Sequence, residues 1–480
     1  MSVLYRHSLL AKTLHIKVAD LPDAIALFGD PFPSAWNTLS LLESWGKMED
    51  AGFNFRQLNY IIQNKDDKLR PIAPPKRTIL QVTKTLYDGL NGIDRDHKDI
   101  PEDKKDEATA ELVRAKAGLF FEPSVVEQIL GLLEGTTVYA TNAPLNLTIN
   151  IPESQKTLAK KLKYSNQKDA TPPSAGLQVT GILTEEEKNQ AKALSTDPNW
   201  AKAIDRVSKQ PQNIFNDALL GIFPNKDNGK TDTNLSAAQC PPQPKENEAK
   251  SKLLAGDVLP PDGNTALNKR FDFLKYFLPL LRQRLAHRLI VDTLASAMSL
   301  PTDVTDTLLS NLLKVGTSNQ SAISILEKIK VQPVANDGNW KGYLIPPTDE
   351  AYAFVAKSET QPAPLVLDGE TIPFKYQQED PSNVWSTDPT AKKLKSGKLY
   401  WLEVSGQQPQ DIQWKTATLA KATIPTSALL PDYSQGSEVE EVFIKLFKAA
   451  LLINGFNLSA DEVTYWQTHA IEVLGMSPNC

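Results

Sequence analysis

Ala51-Gly52-Phe53-Asn54-Phe55 joins two apolar helical patterns, with Leu39, Leu42 and Trp45 before it and Leu58, Ile61 and Ile62 after it. A small residue followed by two aromatics that seek burial reads as helix, tight corner, helix. The same shape returns at Leu14-His15-Ile16 before Leu21 and Ile25, at Met298-Ser299-Leu300 before Val304 and Leu308, and at Gly455-Phe456-Asn457-Leu458 before Val463 and Trp466. Four degenerate copies predict stacked helical hairpins.

Outward from these corners, the first helix carries Leu4, Leu9, Leu10 and Leu14, read as one face. Ser124-x-x-Glu127, Thr184-x-x-Glu187 and Ser459-x-x-Glu462 have the spacing of reciprocal capping boxes and so mark helix starts. Between helices the pattern changes twice. Thr137-Val-Tyr, Leu145-Asn-Leu-Thr-Ile and Leu177-Gln-Val-Thr-Gly-Ile-Leu alternate and predict two or three short strands. Ala351-Tyr-Ala-Phe-Val, the Asp368-Gly369 hairpin turn and Lys398-Leu-Tyr-Trp-Leu-Glu-Val predict a larger block of short strands.

The fold class expected is mainly α with a β insertion, an α+β multidomain chain. Residues 1–135 are helical hairpins, 136–183 a short β-strand segment, and 184–330 helical again with a disordered Pro-rich loop at 225–264. Residues 331–432 form an antiparallel β-sandwich. Residues 433–480 resume the helical repeat and stop before another hairpin forms, which predicts a piece of something longer.

Composition bounds the function. The 480 residues are 41% hydrophobic and 23% charged, enough apolar material for ordinary cores, so wholesale disorder is excluded. Lys plus Arg number 52 against 57 Asp plus Glu, a net charge of -5 that provides no field for nucleic acid. Cys240 and Cys480 allow at most one bridge and no zinc site. No stretch reaches the ~20 apolar residues of a membrane span, and Met1–His7 reads as a first helical turn, without a signal peptide.

Several residue series then resemble a known family, the A subunits of the insecticidal toxin complexes (Tc toxins). The carriers are Leu4-Tyr-Arg-His-Ser-Leu-Leu-Ala-Lys-Thr-Leu14 followed by Asp30-Pro-Phe32, then Ala51 to Tyr60, then Val179-Thr-Gly-Ile-Leu-Thr-Glu-Glu-Glu187. Leu278-Pro-Leu-Leu-Arg282 with Val291-Asp-Thr-Leu294, and Leu446-Phe-Lys-Ala-Ala-Leu-Leu452 with Gly455-Phe456, are similar to that family's shell helices. Gly342-Tyr-Leu, Tyr352-Ala-Phe, Leu367-Asp-Gly369, Gly397-Lys-Leu-Tyr400 and Ile412-Gln-Trp414 resemble a protective-antigen-type β-sandwich, a module that often binds glycans.

The resemblance implies an α-helical toxin shell with an inserted sandwich, in a secreted, extracellular, pore-forming and translocating protein. It implies a homo-oligomer, pentameric, with a host-cell receptor or glycan and other toxin-complex subunits as partners. Membrane contact would come only through a pore region outside this chain. The calcium-holding Asp pair of glycan-binding relatives is replaced here by Ser358-Glu-Thr-Gln361, so the oxygen cage that calcium needs is not assembled.

No catalytic, cofactor or metal residue emerges. The five histidines, His7, His15, His97, His287 and His469, stand singly without metal spacing. Gly221-x7-Gly229-Lys230-Thr231 has seven residues where a phosphate loop has four. Asp66-Asp67 and Glu440-Glu441 sit in polar runs and read as solvated. Arg282, Arg284 and Arg288 alternate with Leu281, Leu285 and Leu289, an amphipathic helix whose basic rim pairs with carboxylates.

Trp340, Tyr343, Trp385, Trp401 and Trp414 sit at alternating strand positions and read as core, with a sugar-stacking ligand surface as the alternative. The main expectation is a non-enzymatic structural and receptor-recognition segment of a Tc toxin A-like protein. The alternative is a standalone glycan- or protein-binding module built on the sandwich. A sialidase-like hydrolase, suggested by the family's neuraminidase-like region, comes third because Asp337-Gly-Asn-Trp340 does not match the sialidase Asp-box.

Overall fold

The backbone at Gly52 is left-handed, with φ 80°, in a computed structural model of the chain. It describes residues 3–67, 70–167, 173–219, 246–258, 264–316, 319–330, 339–376, 384–387, 393–406, 411–425, 428–431 and 437–474. His15, Ser299 and Asn457, at the other three corners, are left-handed too, with φ 55°, 53° and 52°. At each corner the next amide donates to the carbonyl five residues back: Ile16 to Ala11 at 3.0 Å, Phe53 to Met48 at 3.1 Å, Leu300 to Ala295 at 3.0 Å, and Leu458 to Ile453 at 3.1 Å. This closure satisfies carbonyls that a helix end leaves unpaired, and it needs one residue able to take a positive φ. The four corners are thus one device: a left-handed residue, an apolar residue, then the residue that precedes the next helical turn.

In chain order the elements are α1 (Val3–Thr13), α2 (Leu21–Phe28), α3 (Ala35–Asp50), α4 (Phe55–Gln63), α5 (Lys76–Asp96), α6 (Ala110–Ala117), α7 (Pro123–Glu134) and β1 (Val138–Asn142). Next come α8 (Lys156–Lys161), β2 (Leu162–Gln167), β3 (Ser174–Thr180), α9 (Glu185–Ala193), α10 (Pro198–Ile214), α11 (Glu246–Leu253) and α12 (Thr265–Met298). Then follow α13 (Thr302–Thr307), β4 (Lys314–Val315), β5 (Gln320–Ser321), α14 (Ala322–Glu327), β6 (Trp340–Leu344), β7 (Ala353–Lys357), β8 (Leu365–Leu367) and β9 (Glu370–Ile372). The last are β10 (Lys375–Tyr376), β11 (Val384–Ser386), β12 (Tyr400–Val404), β13 (Ile412–Lys415), β14 (Ala422–Thr423), β15 (Leu429–Pro431), α15 (Ser437–Phe456) and α16 (Ala460–Leu474). Helices dominate and the paired strands are antiparallel, an α+β composition.

The chain forms two units, Met1–Asn91 with His287–Cys480, and Gly92–Ala286. In the first, α1 to α4 share a core of Leu10, Leu14, Leu21, Trp45, Phe53 and Phe55. Corner meets corner there, with the rings of Phe53 and Phe456 5.0 Å apart. The same unit holds two five-stranded antiparallel sheets, ordered β10-β11-β7-β13-β14 and β15-β6-β12-β8-β9. Both contribute to one apolar cluster that includes Leu344, Phe354, Leu402, Ile412 and Trp414. Asp368 and Gly369 both take positive φ between β8 and β9, the hairpin turn that the dipeptide predicts.

In the second unit, a three-stranded sheet ordered β1-β3-β2 lays Leu177 and Val179 against α10. Trp200 is wholly buried there and donates from Nε1 to the Ala191 carbonyl at 2.8 Å. A second cluster stacks Phe273 on Phe277 within α12 and gathers α6, α7 and α11 around them.

Several expectations are corrected. Of the expected face Leu4 and Leu9 are exposed, whereas Leu10 and, just past the end of α1, Leu14 are buried together with Ala11. Likewise Leu39 and Ile62 are exposed. Ser124 caps nothing, because Pro123 takes the first helical position and Glu122 becomes the N-cap. Glu127 pairs with Arg114 at 2.9 Å instead, whereas the Thr184/Glu187 and Ser459/Glu462 boxes form. Leu145–Ile149 is not a strand: Asn146 is left-handed, and Leu147 and Ile149 pack on the sheet's core without a ladder. Leu162–Gln167 supplies the missing strand.

Part of the expected loop 225–264 is helix α11, because Ala249 and Leu253, four residues apart, form a buried stripe. The rest of that loop from 225 to 245, the glycines near Lys230, both cysteines and the boundary at Val331 lie outside the described residues.

Candidate functional site

Alternation along β6 sends Trp340, Gly342 and Leu344 to the core side and Lys341 and Tyr343 to the other face. On β12 it sends Tyr400, Leu402 and Val404 inward, and Trp401 and Glu403 outward. Trp401 pairs with Tyr343 in the ladder, and the rings meet edge to face at 5.1 Å and 74°. Trp401 Nε1 donates to Glu403 Oε1 at 2.8 Å, and Lys341 Nζ lies 3.2 Å from Glu403 Oε2. The Trp401 N–H, and after it the Lys341 ammonium, hold the Glu403 carboxyl below its ordinary range against the opposing effect of burial. Asp368 locks the strand: its Oδ1 accepts from the Trp401 amide and its own amide donates to the Trp401 carbonyl, both at 2.8 Å. Lys76 places its ammonium 5.1 Å from the Tyr343 ring. The result is an aromatic pair flanked by one carboxylate and two ammonium groups. Such a surface can stack a sugar or an apolar side chain and hydrogen-bond its rim.

Of the five aromatics, the structure brings only Tyr343 and Trp401 together on that face. Trp414 is buried beside Tyr352, ring centroids 5.3 Å apart, on the core side of β13. Trp385 is half-buried at the rim, donating to the Ser358 carbonyl at 3.0 Å and touching Tyr376, and Trp340 packs at the edge of the core. A cavity of about 260 Å³ beside Trp414 is walled by Pro346, Pro347, Pro425 and Arg77. That is smaller than the roughly 300 Å³ at which ligand pockets begin.

In the second unit a cavity of about 490 Å³ is lined by Lys105, Lys252, Lys275, Glu102, Phe271 and Asp272, among others. Its cations are matched. Glu102 lies 3.0 Å from both Lys105 and Lys275, and these two lysines hold its carboxyl below the ordinary range. Burial pushes the Asp272 carboxyl up, opposed by Lys252, Lys275 and Lys105.

Near it lies an ionic quartet that sequence reasoning misses. Lys161 Nζ is 2.6 Å from Glu187 Oε2, and Lys269 Nζ is 2.6 Å from Asp257 Oδ1, with all four side chains buried. Asp257 Oδ2 also accepts from the Ile182 amide at 2.6 Å. Burial pulls the Lys269 ammonium below its ordinary range and Lys161 adds to that, while Asp257 opposes it. Only the Thr184/Glu187 capping box hinted at any of this, since the four residues come from four segments. Every charge is engaged, so the quartet ties segments together and presents no free nucleophile.

His287, Asp306 and Ser310 come together in the first unit, but in the wrong order for acyl transfer. Asp306 Oδ1 accepts from His287 Nε2 and from Ser310 Oγ, both at 2.8 Å, so the serine meets the carboxylate and not the imidazole. His97 is partly buried with Nδ1 unpartnered, and its ring is held below its ordinary range by burial and then by Lys116. His7 lies tilted against Phe32, ring centroids 4.3 Å apart, and His469 stacks on Tyr465. Asp66 is not a solvated carboxylate: its oxygens accept from the amides of Asp67, Ile72 and Ala73, while Asp67 pairs with Arg56 at 3.3 Å. Two arginines of the rim meet carboxylates, Arg282 with Asp99 at 2.9 Å and Arg288 with Asp292 at 3.4 Å, and Arg284 lies over the Phe120 ring at 5.3 Å.

Among the described residues there is no group of three metal-ligating side chains, and no single helix is long and apolar enough to cross a membrane. Compared with known proteins, the chain matches no family model, no curated protein and no solved structure.

Proposed function

We propose that this chain is a non-enzymatic structural and recognition segment of a Tc toxin A-like protein, its hairpins part of a helical shell and its two sheets a protective-antigen-like sandwich. The observation that carries it is the recurrence of one corner geometry at His15, Gly52, Ser299 and Asn457, with the two-sheet region lying between the third and fourth corners. Repeated hairpins that each leave an apolar face to their neighbour build extended walls. In this reading the protein acts outside the cell, as a homo-oligomer with other toxin-complex subunits, and meets a host-cell receptor or glycan.

The test is binding of the labelled full chain to cultured insect cells. Saturable binding that Trp401→Ala abolishes is the expected result; no saturable binding, or hydrolysis of a surface glycan that a point substitution removes, overturns it.

A second reading, a standalone glycan- or protein-binding module, is favoured by the Tyr343–Trp401 pair with its Glu403 and Lys341 rim. Immunoblotting the source organism with an antibody to residues 331–432 separates the two. A band several times heavier than 53.0 kDa supports the shell, and one at 53.0 kDa supports the module.

A further inference from the structure

Two helices of the first unit, α1 and α16, are left largely uncovered over their described side chains, residues 3–13 and 460–469, and the segments that hold them carry opposite charge. Residues 1–19 contain Arg6, Lys12 and Lys17 and no Asp or Glu, whereas residues 449–480 contain Asp461, Glu462 and Glu472 and no Lys or Arg. In a chain whose two signs otherwise nearly balance, such segregation is a marker of an interaction surface.

The apolar residues on both helices are also in the open. On α1, Leu4 is 80% exposed, Tyr5 55% and Leu9 49%, and only Leu10 and Ala11 are buried. On α16, Tyr465 is 54% exposed and Trp466 41%, with Phe456 of the preceding corner at 54%. Spacing sets charge beside apolar surface in each case. Asp461 and Glu462 stand one turn before Tyr465 and Trp466, and Arg6 and Lys12 stand one turn either side of Leu9. Neither face covers the other within one molecule, since both remain exposed.

We propose that the basic apolar face of α1 in one copy of this chain docks on the acidic apolar face of α16 in a second copy. The contact is heterologous, so each copy keeps one face free and association closes into a ring or continues as a chain. Apolar side chains supply the binding, and the opposed charges set register and partner choice. The inference stands on the two faces alone, and holds whether or not the chain belongs to a toxin shell.

The test is the mass of the full chain by light scattering and sedimentation, across concentration and at low and high salt. Wild-type protein is expected above 53.0 kDa at high concentration, with mass falling as salt screens the charges. Arg6→Glu/Lys12→Glu removes one face and Asp461→Lys/Thr464→Lys the other, the latter sparing the Ser459/Glu462 cap. Each variant alone is expected to stay at 53.0 kDa with the wild-type circular dichroism spectrum, and an equimolar mixture of the two to assemble again, because every basic face then finds an acidic one.

Wild-type protein that is monomeric at every concentration overturns the proposal, as does assembly that both variants retain or a mixture that fails to assemble. Monomeric protein that co-sediments with phosphatidylserine vesicles through its basic face also overturns it, by assigning that face to a membrane.

Discussion

Phe53 sits over Gly455 so closely that a β-carbon there would lie 2.4 Å from the ring's Cζ. The ring is at the same time 5.0 Å from that of Phe456, so the second and fourth corners are held by an aromatic contact that a glycine admits. An aromatic ring cannot swing aside as the tip of a leucine can. Gly455→Ala is therefore expected to destabilise by about 1–3 kcal/mol through overpacking. Gly46 in α3 has open space around its missing side chain, and Gly46→Ala should stabilise by about 0.5–1 kcal/mol. Urea unfolding of the two variants measures both, and equal effects would remove the contact argument.

Ser299 holds φ 53° where a side chain is strained, while Gly52 does the same work without strain. Ser299→Gly should gain about 1 kcal/mol, because the left-handed cost of an L-residue outweighs the added freedom of the unfolded chain. A lower denaturation midpoint would mean that the serine is held by something besides the corner.

Asp257 is the buried partner of Lys269 and also accepts from the Ile182 amide. Asp257→Asn leaves a buried ammonium uncompensated and should cost about 3–5 kcal/mol, with Lys269→Met in the same chain recovering part of it. Denaturation of the single and double variants gives the coupling. Additive losses would show that the two side chains act separately.

His97 takes up a proton less readily folded than unfolded, since burial and Lys116 hold its ring below the ordinary 6.5. The unfolded chain then binds more protons between the lowered value and 6.5, so stability rises with pH through that window and falls as pH drops through it. His97→Leu should flatten the dependence of the unfolding midpoint on pH in that range. An unchanged slope would assign it to other groups.

Tyr343 and Trp401 interact edge to face on the outer side of the sheet. A double-mutant cycle with alanine should return a coupling of about 0.5–1.5 kcal/mol in stability. Coupling near zero would leave the two rings as independent surface.

Local chemistry made part of this fold legible in the sequence. Each corner needs a handful of consecutive residues: one that tolerates positive φ, an apolar residue after it, and a helix start. Gly52-Phe53-Asn54 and Asn457-Leu458-Ser459 show these in order, as Asp368-Gly369 shows its hairpin turn. Even the failure of Ser124 to cap its helix has a local cause, the proline beside it.

Tertiary packing decided the rest. Leu4 and Leu10 are the same residue type on one helix, and only the neighbours buried one and left the other open. Five aromatics share an alternating pattern, yet strand partners placed Trp414 in the core and paired Trp401 with Tyr343 outside it. Lys161 and Asp257 are 96 positions apart, and nothing near either announces the other. Hydrogen bonds that close within one turn are encoded where they form. Burial depends on which distant surfaces meet, so the cost of desolvating a charge or an apolar face is set only once the chain has folded.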